Sequence, residues 1–128
     1  MDYDRRLSMD LKQRGLAGVI ILDLTGRLIL GDGEELFKQK IDELIEKGHT
    51  QFLVNLSGVT YIDSAGVGML VWKYITLKRR GGTLKLLNLQ SRTRTVLSIT
   101  RLLTVLENFD NEMDAVLSFA ASPESSAG

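Results

Sequence analysis

The apolar run Phe52-Leu53-Val54-Asn55-Leu56, bounded by polar and glycine residues, has the length and composition of a buried strand. Shortly after it, from Ser64 to about Arg80, the spacing becomes helical. Val67, Leu70, Val71, Tyr74 and Leu77 fall at i, i+3, i+4, i+7 and i+10, which is one face of a helix. Asp63-Ser64 therefore lies where a strand hands over to a helix. Unpaired backbone N–H groups and the positive end of the helix dipole point outward at such a junction. A hydroxyl there can cap the helix, and a phosphate there is well received.

Ser64 thus has two readings, an ordinary N-cap or a regulated serine. Gly66 and Gly68 favour the second. Each glycine in the first turns of a helix costs roughly 1 kcal/mol relative to alanine. Two of them, two apart, imply that a neighbouring strand or a partner protein approaches this helix start closely. Away from the Val67/Val71/Tyr74 face, Ala65, Met69, Trp72 and Thr76 cluster in a narrow arc. With the main stripe packed on a sheet, Met69 and the only tryptophan are expected to face outward, as a docking strip beside Ser64. A second helix of the same domain covering that strip is the alternative.

A length of 128 residues fits one domain with a core of its own. Sixteen basic and sixteen acidic residues cancel, so no net field draws in nucleic acid or an anionic membrane. The absence of cysteine excludes disulfides and thiol chemistry and fits a reducing compartment. No apolar run is long enough to span a bilayer, and Met1-Asp2-Tyr3-Asp4-Arg5-Arg6 lacks the apolar segment of a signal peptide, so a cytoplasmic location is expected.

Before the central unit, Leu7, Met9 and Leu11 alternate with polar residues as a half-buried strand. A turn from Arg14-Gly15 to Ala17-Gly18 leads into a more buried strand, Val19 to Leu24, ended by Thr25-Gly26. Asp32 is the expected cap of a helix with Glu35 as its reciprocal partner. Its stripe is Leu36, Phe37, Ile41, Leu44 and Ile45, and it stops at Gly48. The only histidine, His49, follows in a polar turn with no cluster of metal ligands around it. After the central helix, Lys78-Arg79-Arg80 suits a helix C-terminus, and Gly81-Gly82 breaks into a strand from Thr83 to Leu87. A helix of about Arg92 to Arg101 and a short strand at Val105-Leu106 follow. A last helix, capped by Asp110 or Asn111, carries Met113, Val116 and Leu117. Residues 120–128 are small and polar and read as a frayed tail. Strands alternating with helices imply right-handed crossovers and a largely parallel sheet, with the first hairpin adding an antiparallel edge.

Enzyme chemistry finds no support in these residues. Ser64 lacks the Gly-x-Ser-x-Gly elbow of a hydrolase, and Gly66-Val67-Gly68 lacks the lysine and spacing of a phosphate-binding loop. No cofactor and no metal site are expected.

The stretch from Leu53 through Asp63-Ser64-Ala65-Gly66-Val67-Gly68 resembles the signature of STAS domains, specifically the bacterial anti-sigma factor antagonists. Gly81-Gly82-Thr83-Leu84-Lys85-Leu86-Leu87-Asn88-Leu89 resembles the next strand of that family. The resemblance implies an α/β fold: a single STAS-like domain over residues 1–119, with a mixed, mostly parallel sheet of about five strands and about four helices, followed by a flexible tail over 120–128. It implies an anti-sigma factor antagonist that is not an enzyme. Unphosphorylated, such a protein binds an anti-sigma factor that is also an ATP-dependent serine kinase and thereby releases a sigma factor. Phosphorylation of the serine, which falls on Ser64, turns binding off, and a serine phosphatase restores it. The partner-binding residues implied here are Asp63, Ser64, Ala65, Gly66, Gly68, Met69 and Trp72. ATP belongs to the kinase, and neither nucleic acid nor membrane is a direct partner. The alternative within the family is a fixed adaptor of a lipid-transport or stress-signalling complex, without regulated phosphorylation. Two positions depart from the common pattern. Ala65 stands where many members carry a second Ser or Thr, and Asn55, where many carry Asp, is expected to alter the electrostatics near Ser64.

Overall fold

The computed structural model describes residues 9–120. The expected strand residues Leu7 and Ser8, the N-terminal residues 1–6 and residues 121–128 of the expected 120–128 tail lie outside them, while Ala120 belongs to the last helix and not to a tail. Within them the chain runs β1 (Met9–Leu16), β2 (Val19–Leu28), α1 (Asp32–Glu46), β3 (Gln51–Ile62), α2 (Ser64–Arg79), β4 (Thr83–Leu87), α3 (Ser91–Ile99), a 3-10 turn (Leu102–Thr104), β5 (Asn108–Phe109) and α4 (Glu112–Ala120). The five strands lie in one sheet in the order β1-β2-β3-β4-β5. The hairpin β1–β2 is antiparallel and the other three pairings are parallel, as the alternation of strands and helices predicted.

Strand periodicity sorts the core into two layers. Ile20, Leu22 and Leu24 of β2 and Phe52, Val54 and Leu56 of β3 face α1, α2 and α3, where Phe37, Ile41, Leu70, Leu77 and Leu97 are all buried. Val19, Ile21, Leu53 and Leu87 face the other way and are covered by Ala115, Val116 and Phe119 of α4. Lys85 projects to that second side, where its ammonium bonds Ser118 Oγ at 2.9 Å and stands 4.7 Å from the ring centre of Phe119.

The departures from expectation have local causes. The strand β2 does not stop at Thr25-Gly26 but continues to Leu28 through register shifts beside Gly26, whose φ of 111° only glycine adopts readily. The partner strand β3 likewise runs on to Ile62, and Gly58 lets it pass close to the Leu24 carbonyl. Asp32 is the first helical residue of α1, not its cap; Gly31 holds the cap position without a side-chain bond. The helix ends at Gly48 as read. In place of a strand at Val105-Leu106 the chain makes the 3-10 turn, plugs Leu106 into the core, leaves Val105 exposed, and pairs with β4 at Asn108–Phe109. The last helix is capped by Asn111, which accepts the Asp114 N–H at 2.9 Å. Its buried stripe is Ala115, Val116 and Phe119, so Met113 and Leu117 are exposed rather than core residues. Two apolar stripes compete on that helix, and the one holding the phenylalanine buries more surface.

Candidate functional site

The long strands β2 and β3 carry their C-terminal ends past the body of the sheet, and there the β2–α1 loop meets the start of α2. Two contacts seat them on each other. A side chain at Gly66 would collide with the Leu28 carbonyl oxygen and with Ile62 and Leu28 side-chain carbons. Asp63 uses one carboxylate oxygen to accept the Gly66 N–H and the other to accept the Leu30 N–H, both at 3.0 Å. Asp63, with extended φ and ψ, is therefore the N-cap of α2. This corrects the reading of Ser64 as the cap. Ser64 is the first helical residue, exposed, at the positive end of the dipole.

The carboxylate of Asp63 is held ionised by its surroundings. Partial burial opposes the charge, but the N–H groups of Leu30, Gly66, Ala65 and Asp63 itself outweigh it and hold the pKa below its ordinary value of 3.8. A depressed folded-state value means stabilisation that is fully present above about pH 4 and is lost as pH falls through the folded value. Three other carboxylates act with the same sign. Asp23 and Glu112 are lowered chiefly by the guanidinium of Arg14, which bonds both. Asp42 is pushed up by burial, which is outweighed by bonds from Lys73 and Lys38. Thermal unfolding followed from about pH 7 to about pH 3 is expected to show a falling Tm. The fall is expected to be smaller in Asp63→Ser, which keeps a capping oxygen but has no carboxylate to titrate. An identical fall in both proteins would show that Asp63 carries none of it.

The helix α2 is turned relative to the face expected for it. Gly66, Met69, Leu70, Lys73 and Leu77 are buried, and Val67 and Tyr74 pack only partly against the core. Met69 is 4% exposed and belongs to the core, so it is not part of an outward strip. The expected strip of Ala65, Met69, Trp72 and Thr76 is replaced by Ser64, Gly68, Trp72 and Ile75, at i, i+4, i+8 and i+11. Lys73 explains the turn: its ammonium reaches Asp42 of α1 at 2.7 Å and draws that side of α2 against α1. Trp72 is 52% exposed, with the Lys73 ammonium 4.2 Å from its ring centre. A Cβ at Gly68 would meet nothing within 4 Å, so packing inside the domain does not require that glycine.

Asn55 is not at the site. It lies on the face of β3 that points toward α4, donates to Asp23 Oδ1 at 2.8 Å, and accepts the Ser57 N–H at 3.1 Å. An aspartate there would set two carboxylates side by side, because Asp23 and Asn55 are register partners. Leu30, 72% exposed and tied to Asp63, was missed in the sequence. Its position at the end of the apolar triplet Leu28-Ile29-Leu30, directly before the turn Gly31-Asp32-Gly33, was the available signal. His49 is exposed in its turn, and among the described residues no three His, Cys, Asp or Glu side chains are grouped to hold a metal.

Comparison with known proteins adds four findings. The family model of the STAS domain matches residues 9–115. The anti-sigma-B factor antagonist of Bacillus subtilis is 30% identical over 101 residues, covering 79% of this chain and 89% of that protein. Among solved structures, a candidate anti-sigma factor antagonist of Thermotoga maritima superposes with a TM-score of 0.80 at 26% identity, over 85% of this chain and 93% of its own. The anti-sigma factor antagonist SpoIIAA in its unphosphorylated form gives 0.76 at 22% identity, over 88% and 98%.

Proposed function

The chain belongs to the STAS domain family, and on that premise we propose that it is an anti-sigma factor antagonist whose binding is switched at Ser64. The observation that carries this reading is the position of Ser64, exposed on the first turn of α2 and at the head of the surface line through Gly68, Trp72 and Ile75. Capping is already performed by Asp63, so the Ser64 hydroxyl is available for other chemistry. Unmodified, the protein docks this line and the adjoining Asp63 loop on an anti-sigma factor that is also a serine kinase, and a sigma factor is released. Phosphorylation adds about −1.5 to −2 charges and three acceptor oxygens. The helix N-terminus accommodates that charge within the domain, whereas a docked partner has to desolvate it. A serine phosphatase resets the protein. No rearrangement of the fold is needed, and the protein performs no catalysis itself. Its place of action in this reading is the cytoplasm.

The test is intact mass after incubation with ATP and each purified anti-sigma kinase of the same genome, followed by peptide mapping. One added phosphate on the Asp63-Ser64 peptide, absent in Ser64→Ala, is the expected result. No phosphate from any of them, with the protein folded, would favour a fixed adaptor that uses the same helix line without regulation.

A further inference from the structure

Leu30 is one of the most exposed large apolar side chains among the described residues, at 72%. It is not on a loose loop. The Ile29 carbonyl accepts the Glu34 N–H at 3.0 Å and the Gly31 carbonyl accepts the Glu35 N–H at 2.9 Å, closing the loop onto the first turn of α1. On the other side the Leu30 N–H is held by Asp63, and the preceding Leu28 carbonyl rests against Gly66. A leucine presented to solvent by a fixed backbone, one residue away from Ser64 through Asp63, loses little conformational freedom on docking. Its surroundings also specify a complement. Asp32, Glu34 and Glu35 crowd the first turn of α1 just after the loop, and Asp63 adds a fourth carboxylate.

Resting on the reading of the protein as an anti-sigma factor antagonist, we infer that Leu30 is an apolar anchor for the anti-sigma factor and that Asp63 is its positioning residue. The partner's complement is an apolar socket with a cationic rim. Asp63 thus has two separable tasks, capping α2 through Gly66 and holding the loop through Leu30. The same carboxylate joins the modified serine to the anchor, so charge added at Ser64 lies beside both.

The experiment titrates the full chain and its variants into each purified anti-sigma factor of the same genome. Leu30→Ala is expected to weaken binding about tenfold, and Leu30→Glu more, with Tm little changed because the residue is largely exposed. Asp63→Ser keeps a cap for Gly66 but cannot also reach Leu30. It is expected to weaken binding about fivefold in the Leu30 protein and hardly at all when combined with Leu30→Ala. Wild-type affinity in both Leu30 variants would overturn the anchor. An equal loss from Asp63→Ser in both backgrounds would overturn the positioning role. A change in the oligomeric state of the chain alone on Leu30→Glu, with anti-sigma affinity intact, would assign Leu30 to self-association instead and overturn the inference. Failure of the unmodified chain to bind any of these factors is a different result, and it would overturn the proposed function on which the inference stands.

Discussion

Phosphorylated at Ser64, the protein is expected to bind its anti-sigma factor more than a hundredfold more weakly than the unmodified form, a cost of about 3 kcal/mol. Ser64→Asp, with one charge and a shorter reach, is expected to go the same way by about tenfold, and Ser64→Ala to bind as the unmodified protein does. The effect belongs to the interface and not to the fold. Ser64 is exposed on the first turn of α2, where the dipole favours negative charge, so neither variant is expected to lower Tm. In a complex the added charge sits next to the Asp63 carboxylate, whose two oxygens are already committed to Gly66 and Leu30 and cannot turn away. Desolvating two adjacent anions is the source of the penalty. Calorimetric titration of the three proteins decides the matter, and equal affinities for Ser64→Ala and Ser64→Asp would remove the switch.

The second large effect separates two glycines that look alike in the sequence. Gly66→Ala is expected to destabilise the domain by about 1–3 kcal/mol even after the roughly 1 kcal/mol of improved helix propensity, because the new methyl group meets the Leu28 carbonyl oxygen. A fall in Tm of roughly 5–15 °C would follow for a domain of this size. Gly68→Ala is expected to move Tm the other way, by up to about 1 kcal/mol of added stability, since the methyl group enters open space. The same variant is expected to weaken anti-sigma binding, because the methyl group projects from the line that Ser64, Trp72 and Ile75 share. Differential scanning calorimetry of both variants is sufficient for the stability part. A rise in Tm for Gly66→Ala would show that the β2–α1 loop is not seated on the helix as described.

Elements whose limits come from local chemistry were legible residue by residue. The strand Thr83–Leu87 opens after a glycine pair, the helix from Ser64 runs to a basic end before the same pair, and α1 stops at Gly48. Glycine elsewhere misled. Gly26 looks like a terminator in isolation but serves as a bulge, because Gly58 on the neighbouring strand gives β2 room to continue. Apolar spacing alone does not locate the buried face of α2, because a lysine, Lys73, lies on it. Its ammonium has Asp42 and the Trp72 ring as partners, and it is buried on the same side of the helix as Met69. On α4, Met113 and Leu117 were indistinguishable from core by periodicity alone.

The order of the elements, the parallel sheet with its antiparallel edge, and the exposed serine at a strand-to-helix junction were all determined by the amino-acid sequence. Each rests on apolar period, turn residues and helix-end chemistry within about ten residues of chain. Only the tertiary structure decided that Asp63 is the cap, that Gly66 is needed for packing while Gly68 is not, that Met69 points inward and Leu30 outward. These depend on groups far apart in the chain, such as the Leu30 N–H that Asp63 holds across 33 residues. Periodicity reports which residues share a face; it carries no record of what that face will meet.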